Sequence, residues 1–485
     1  MNRHSKIIFI SGIFNIIHPG HLRLLRFASE LNGKLIVGVF SDRVATSSAH
    51  VPEDMRLDGV ASNNWVDDAF IMYKPINEVI DDIRPDVIVK GKEHESKFNI
   101  EKELVEAYGG RLLFSSGESH FSSLDLLRKE FHVSNLRSIN LPSSYLDRHN
   151  INYKDLIELI YKFSSIKVCV VGDLIIDEYI TCEPLGLSQE DPTIVVTPID
   201  KIRFIGGAGI VAAHAAGLGS DVKFISLTGD DDLYDFSKYE LSKSGVDSIL
   251  IKDENRPTTL KQRFRSKGKS LLRVSHLHQE AANSSLQDMM FHEVESIIED
   301  VDLIVFSDFN YGCLPQELVN RISEIAHLNN VILTADSQSS SQIGNIGRFK
   351  GMHLITPTER EARISERNNE DGLVVLAEKL RKQSAAQNVF LKLAEEGVLI
   401  HANKSVKKNI PKEDGWITDR VPAMNTTPKD VAGAGDSLII TASLALASGG
   451  NIFESAFLGS LAAAIQVGRV GNMPLQLNEL ISEIR

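Results

Sequence analysis

Asp430-Val-Ala-Gly433-Ala-Gly435-Asp436 runs directly into Ser437-Leu-Ile-Ile-Thr-Ala-Ser-Leu-Ala-Leu-Ala447, a glycine-rich turn followed by an apolar, alanine-rich helical run. Small residues at a helix start leave backbone N–H groups uncovered, and the helix dipole favours an anion there. Asp436 stands beside that nest. A carboxylate so placed accepts the proton of a substrate hydroxyl while the amides receive phosphoryl charge. On spacing alone, a plain turn with Asp436 as helix cap fits as well. No G-x-x-x-x-G-K-[ST] string occurs, so a P-loop is not the explanation.

Working outward, the runs KVCVVGDLIID, VKFISL, LIVFSD, VILTAD, HLITP and VFLKLA read as strands separated by helical stretches. The first third repeats the theme, with Ile7 to Ile10, Lys34 to Phe40, AFIMY, DVIVKG and RLLFSS as strands and HLRLLRFASEL as a helix. This alternation predicts α/β architecture with parallel sheets covered by helices. At 485 residues the chain exceeds what one core organises. Residues 132–150 are polar and weakly periodic, so the expected division is a first domain over 1–131, a linker over 132–150 and a second domain over 151–485.

Hydrophobic residues make up 42% and charged residues 24%, a globular composition. A formal net charge of -13 argues against a nucleic-acid surface, which needs a basic patch. The three cysteines, Cys169, Cys182 and Cys313, lack metal-type pairing and suggest neither a disulfide framework nor a zinc site, in keeping with a reducing cytoplasm. Neither an export signal nor a membrane span is expected.

Near the start, Gly12-Ile-Phe14-Asn15-Ile-Ile-His18-Pro-Gly20-His21 sits where a strand gives way to a helix. A glycine there admits a nucleotide to the backbone, and two imidazoles three positions apart can both donate to phosphate oxygens. The string resembles the G-x-F-D-x-x-H-x-G-H signature of the cytidylyltransferase-like nucleotidyltransferases, and the likeness continues through Arg56, Lys90-Gly91 and Ser122-Ser123. The resemblance implies a Rossmann-like domain and in-line attack by a phosphate on the α-phosphorus of a nucleoside triphosphate, releasing pyrophosphate with Mg²⁺. It assigns His18 and His21 to the transition state, and Gly12, Phe14, Asn15, Gly20, Lys90, Ser122 and Ser123 to nucleotide or phosphate contacts. Asn15 departs from the usual Asp, and Leu124 from a more usual polar residue.

The turn at 430–436 is similar to the D-T-x-G-A-G-D signature of the ribokinase, or PfkB, family of carbohydrate kinases, and VVGDLIIDEYI, FIGGAGIVAAHAAGLG, LTGDDD, FSDFNYG and TPTEREA follow that family's order of landmarks. The resemblance implies a ribokinase-like α/β domain with a small β lid, ATP and Mg²⁺. It makes Asp436 the base and Ala432, Gly433, Ala434 and Gly435 the anion hole. Sugar contacts fall on Asp173, Asp177, Gly206 and Gly207, and Glu361 joins the metal's water network. Ile210 and Thr358 stand where relatives often carry Asn.

The basic stretch Lys261, Arg263, Arg265, Lys267, Lys269 and Arg273 suits a solvated face. In a sugar kinase it resembles the lid, where Arg263 and Arg273 are the choices for holding a sugar's phosphate. The two modules together resemble the bifunctional heptose kinase/adenylyltransferases of lipopolysaccharide precursor synthesis, with the domain order reversed. The expected function is C1 phosphorylation of a heptose 7-phosphate, then adenylyl transfer to the sugar 1-phosphate. A different sugar phosphate, CTP in place of ATP, or a binding module with one domain degenerate stay open. The implied partners are small molecules, without nucleic acid or membrane, and a homodimer paired through the lid.

Overall fold

The computed structural model describes residues 6–485 except 16, 18, 32, 46–48, 92–98, 116–138, 188–192, 267–268, 340–342 and 404–415. The chain divides into two compact units, residues 1–136 with 367–376, and residues 137–366 with 377–485. His18, Ser122, Ser123 and Lys267 lie outside the described residues.

The first unit carries a parallel sheet of β1 (Ile7–Gly12), β2 (Lys34–Phe40), β3 (Asp68–Met72), β4 (Val87–Gly91) and β5 (Arg111–Ser115), in the order β3-β2-β1-β4-β5. Side chains alternate across a strand, so both faces must be covered. Ile8 and Ile10 pack with Leu24, Leu25 and Phe27, whereas Phe9 packs into a separate cluster with Val79, Ile80 and Val105. The order reverses between β1 and β4, and ligands of such sheets bind at the carboxyl ends of the strands flanking that reversal. Gly12 and Lys90–Gly91 close those two strands.

Arg56, in the helix Glu53–Ala61, is a clamp for this end of the sheet. Its buried guanidinium donates to the carbonyls of Val51, Ile13 and Phe40 at 2.7, 2.7 and 2.8 Å and pairs with Asp42. The resemblance through Arg56 therefore falls on a residue that fixes the loop after β1.

The second unit has two sheets. The larger runs β10-β9-β6-β13-β14-β15-β16-β17-β18, from β6 (Lys167–Gly172), β9 (Asp221–Thr228), β10 (Asp247–Lys252), β13 (Leu303–Asp308), β14 (Ile332–Ser337), β15 (Leu354–Ile355), β16 (Asn388–Lys392), β17 (Val398–Asn403) and β18 (Trp416–Val421). It is parallel up to β16, with β17 and β18 antiparallel. HLITP shortens to two strand residues, because Pro357 has no N–H to give a ladder. The smaller sheet, β12-β11-β7-β8, is the expected lid, built from β7 (Leu174–Leu187), β8 (Ile194–Gly207), β11 (Leu260–Ser266) and β12 (Lys269–His276).

The stretch read as linker differs in its second half. Residues 143–149 form a helix whose Tyr145 and Leu146 are buried in the second unit's core, and Tyr145 Oη donates to the Phe453 carbonyl at 2.9 Å. Its apolar positions are too few for periodicity to be visible in so short a helix. Among the described residues no helix is long and apolar enough to cross a membrane. The three cysteines are free and buried.

Candidate active sites

Asp436 lies in the first turn of the helix Ala434–Ala447 and is buried. Gly433 precedes that helix with φ 76°, a left-handed conformation that side chains resist, and a Cβ there would stand 2.6 Å from Asn472 Oδ1. Gln338 Nε2 donates to Asp436 Oδ1 at 2.9 Å, which fixes the carboxyl. Burial, with Asp336 adding and Lys392 opposing, pushes the Asp436 carboxyl up to about 7. A base poised near neutrality suits proton transfer from a hydroxyl.

Around it stand Asp336 at the end of β14 and Lys392 at the end of β16, paired at 2.8 Å. Asp177, on β7, accepts from Asn472 Nδ2 at 3.1 Å and Arg263 at 3.4 Å. Burial raises its pKa, and Arg263 and Lys261 oppose the rise. The glycine pair has a steric reason beside this group. A Cβ at Gly206 would fall 2.4 Å from Asp177 Oδ2, and one at Gly207 2.4 Å from the Asp173 carbonyl.

The Asp173 carboxylate accepts the backbone N–H groups of Phe309, Tyr311 and Cys313 at 2.7, 3.3 and 3.1 Å, so it staples the loop after β13. Glu361 is also engaged. It forms a reciprocal cap with Thr358, whose N–H it accepts at 2.7 Å, and it accepts the Ser339 N–H at 2.9 Å. Thr358 therefore does the work of a helix cap there.

The lid's basic strand faces this centre. Lys261, Arg263 and Arg265 alternate along β11 and so share one side, in parallel register with Asp177, Tyr179 and Thr181. Arg263 and Arg265 sit over the Tyr179 ring at 5.5 and 5.2 Å, and Tyr179 Oη donates to Asp430 at 3.2 Å. Arg273 lies opposite Arg263 on β12 and is exposed. Arg263 Nε and Asn472 Oδ1 are buried without a hydrogen-bond partner.

In the first unit, Phe14 adopts φ 54° and its ring meets His21 at 4.9 Å. A Cβ at Gly12 would come 2.9 Å from the Phe14 ring, so the glycine makes room for that aromatic. Asn15 Oδ1 accepts the His50 N–H at 2.8 Å, an acceptor role that Asp would also fill. Lys90 is paired with Glu101 at 2.7 Å. Gly20 and His21 fall in the helix Pro19–Ser29, at its N-terminal end.

The family models match both halves. Residues 165–477 fit the pfkB family carbohydrate kinases, and residues 9–141 fit the cytidylyltransferase-like model. The chain belongs to the pfkB family of carbohydrate kinases. It carries its cytidylyltransferase-like domain ahead of the pfkB domain. Similar curated proteins include the bifunctional protein HldE of a Nitratiruptor species, 28% identical over 65% of this chain and 64% of that one. That of Helicobacter hepaticus is 28% identical over 66% and 64%. The match thus spans less than two thirds of the length of these relatives.

Two solved structures show the fold of the pfkB domain. Ribokinase from Thermotoga maritima aligns with TM-score 0.50 at 21% identity over 66% of this chain and 98% of that one. Phosphofructokinase-2 from Escherichia coli aligns with TM-score 0.51 at 15% identity over 66% and 98%.

Sequence reasoning missed Asp336, Gln338, Lys392 and Asn472, which the pfkB domain gathers around Asp436 and Asp177. The signal present was positional: Asp336 ends the run VILTAD, Gln338 follows it, and Lys392 lies within VFLKLA at the end of β16, where parallel sheets place their ligands.

Proposed function

We propose that the chain phosphorylates a sugar phosphate with ATP and then joins a sugar 1-phosphate to AMP, with D-glycero-D-manno-heptose 7-phosphate, phosphorylated at C1, as the kinase substrate and ADP-heptose as the final product. The observation that carries the kinase half is the buried, raised Asp436 at the head of its helix, faced by Asp177 and the Lys261-Arg263-Arg265 strand.

The sugar's C1 hydroxyl oxygen attacks the γ-phosphorus, its proton passes to Asp436, and the bond to the β-phosphate oxygen breaks to release ADP. The amides of Gly433 and Gly435 receive the transferring charge, whereas those of Ala432 and Ala434, also expected in the anion hole, donate to Asp430 Oδ1 at 3.1 Å and to the Val431 carbonyl at 3.5 Å. Asp177 and Asn472 hold sugar hydroxyls, and Arg263, with a buried unpartnered Nε, takes the sugar's phosphate alongside Arg273. A guanidinium suits that task because it meets phosphate oxygens bidentately. No cluster of three or more carboxylate, histidine or cysteine side chains among the described residues offers a metal cage. Glu361 would hold a magnesium ion through its water network, and the ion, brought in on the nucleotide's phosphates, would supply neutralisation of phosphate charge.

In the transferase half, a sugar 1-phosphate oxygen attacks the α-phosphorus of ATP and pyrophosphate leaves. His18 and His21 donate to the charge that develops, and the resemblance assigns Gly12, Phe14, Asn15, Gly20, Lys90, Ser122 and Ser123 to nucleotide or phosphate contacts. Between the two reactions a separate phosphatase removes the 7-phosphate. The exposed apolar lid residues Leu185, Ile199, Ile202 and Leu272 support pairing of two copies through that sheet, in a cytoplasmic enzyme.

The test is Arg263→Ala assayed with a sugar phosphate and with its unphosphorylated sugar. Loss of a charged hydrogen-bonding partner should raise KM for the sugar phosphate roughly 10- to 100-fold and leave the free sugar's kinetics within about twofold. Equal effects on both sugars would remove the phosphate from this reading. The acid limb of kcat/KM for the kinase step should fall off with an apparent pKa of about 7, because Asp436 accepts a proton only when ionised. Initial rates of ADP release across pH check this, and a rate flat down to about pH 5 excludes Asp436 as the titrating base.

A further inference from the structure

Lys392 is more deeply committed to the kinase centre than an internal ion pair requires. Its side chain ends β16, is 12% exposed, and makes hydrogen bonds of 2.9 and 2.8 Å to the two oxygens of Asp336. An ammonium has three N–H donors, so one remains beyond those two bonds. A Cβ built on Gly435 would lie 3.1 Å from Lys392 Nζ, which sets the ammonium against the turn that opens the helix Ala434–Ala447. The backbone fixes this placement, since Lys392 N–H donates to the Pro357 carbonyl at 2.8 Å and Lys392 bridges Thr358.

The charge balance gives the ammonium a purpose. Asp336 and Asp177 both raise the Asp436 pKa, and Glu361 raises that of Asp336. A nucleoside triphosphate entering this ring of carboxylates meets like charge. Burial pulls the Lys392 pKa down, but Asp336 and Glu361 outweigh it and the group is raised, so it stays charged.

We propose that Lys392 contacts the γ-phosphoryl group of ATP at the Gly433–Gly435 turn, with Asp336 as the positioning residue that aims its ammonium. The inference rests on the kinase reading above and assigns it a cation at the glycine turn, separate from the lid's Lys261, Arg263 and Arg265. Lys392 stabilises the phosphoryl group as its bond to ADP breaks, while the proton goes to Asp436. ADP alone lacks the group that Lys392 meets.

The experiment is calorimetric titration of the full chain with Mg²⁺-AMP-PNP and with Mg²⁺-ADP. Lys392→Met should weaken AMP-PNP roughly 10- to 100-fold and ADP by less than about threefold. Because that variant strands the Asp336 carboxylate, Asp336→Asn/Lys392→Met is measured beside it and should show the same selective loss with recovered thermal stability. Lys392→Arg should regain most of the AMP-PNP affinity, since the charge is kept. Equal weakening of both nucleotides, or none, overturns the contact. If the wild-type chain binds both nucleotides and phosphorylates a sugar phosphate while the variants show no selectivity, only the Lys392 assignment falls. If the wild-type chain binds neither, the kinase reading falls with it.

Discussion

Asp436→Asn should abolish sugar phosphorylation, lowering kcat by roughly 10²- to 10⁴-fold, while the protein melts at the same or a higher temperature. The two halves of that expectation have one cause. Burial and Asp336 raise the Asp436 carboxyl to about 7 from an ordinary 3.8. Between those values the folded chain binds more protons than the unfolded one, so ionising this group as pH rises through the window costs stability. An amide cannot ionise. It removes that cost and keeps an oxygen for Gln338 Nε2, which donates to Oδ1 at 2.9 Å in the native site. Kinetics of ADP release and a melting curve, both at about pH 7.5, read the two effects. A variant that still phosphorylates would dismiss the base, and one that unfolds would dismiss the account of its burial.

His21→Ala should cut pyrophosphate release by roughly 10²- to 10³-fold and leave ADP release from the kinase untouched, the size expected when one donor to developing phosphoryl charge is removed. The His21 ring meets that of Phe14 at 4.9 Å with the planes tilted by 56°, and His21 belongs to a helix whose buried positions are Leu24, Leu25, Phe27 and Ala28. Truncation therefore removes little of the core. Parallel assays of both products on one preparation test it. Equal loss of the two activities would contradict independent centres, and an unchanged pyrophosphate rate would take His21 out of the chemistry.

What the sequence made legible is what lies close together along it. The glycine turn and Asp436 fall within seven residues, and Gly12 through His21 within ten, so each could be read as one object. The strand runs were legible because parallel strands covered on both faces are apolar throughout. The residues around Asp436 were not, since Gln338, Lys392 and Asn472 come from segments that only the sheet's crossovers bring together. Asp173 carries a structural role that its position after a strand does not reveal, since its carboxylate accepts the backbone N–H groups of Phe309, Tyr311 and Cys313, which are distant in sequence. Arg56 likewise carries a family resemblance while its donors go to three backbone carbonyls. The helix Ser143–His149 was hidden because two buried residues in seven leave no period to detect.

Ile210 is buried in the core of the second unit, in the helix Ala208–Gly217 that follows the glycine pair. An apolar side chain there contributes packing and no hydrogen bond, which leaves Asp177, Asn472 and the basic strand of the lid as the proposed sugar contacts.

The most direct test of two chemistries in one chain is a dual-product assay of the purified protein with Mg²⁺-ATP. One arm supplies heptose, hexose and pentose phosphates and reads ADP; the other supplies the corresponding sugar 1-phosphates and reads pyrophosphate. The account predicts ADP formed one for one with a C1-phosphorylated heptose in the first arm, and pyrophosphate formed with an ADP-sugar in the second. Silence in both arms across the whole panel would contradict it.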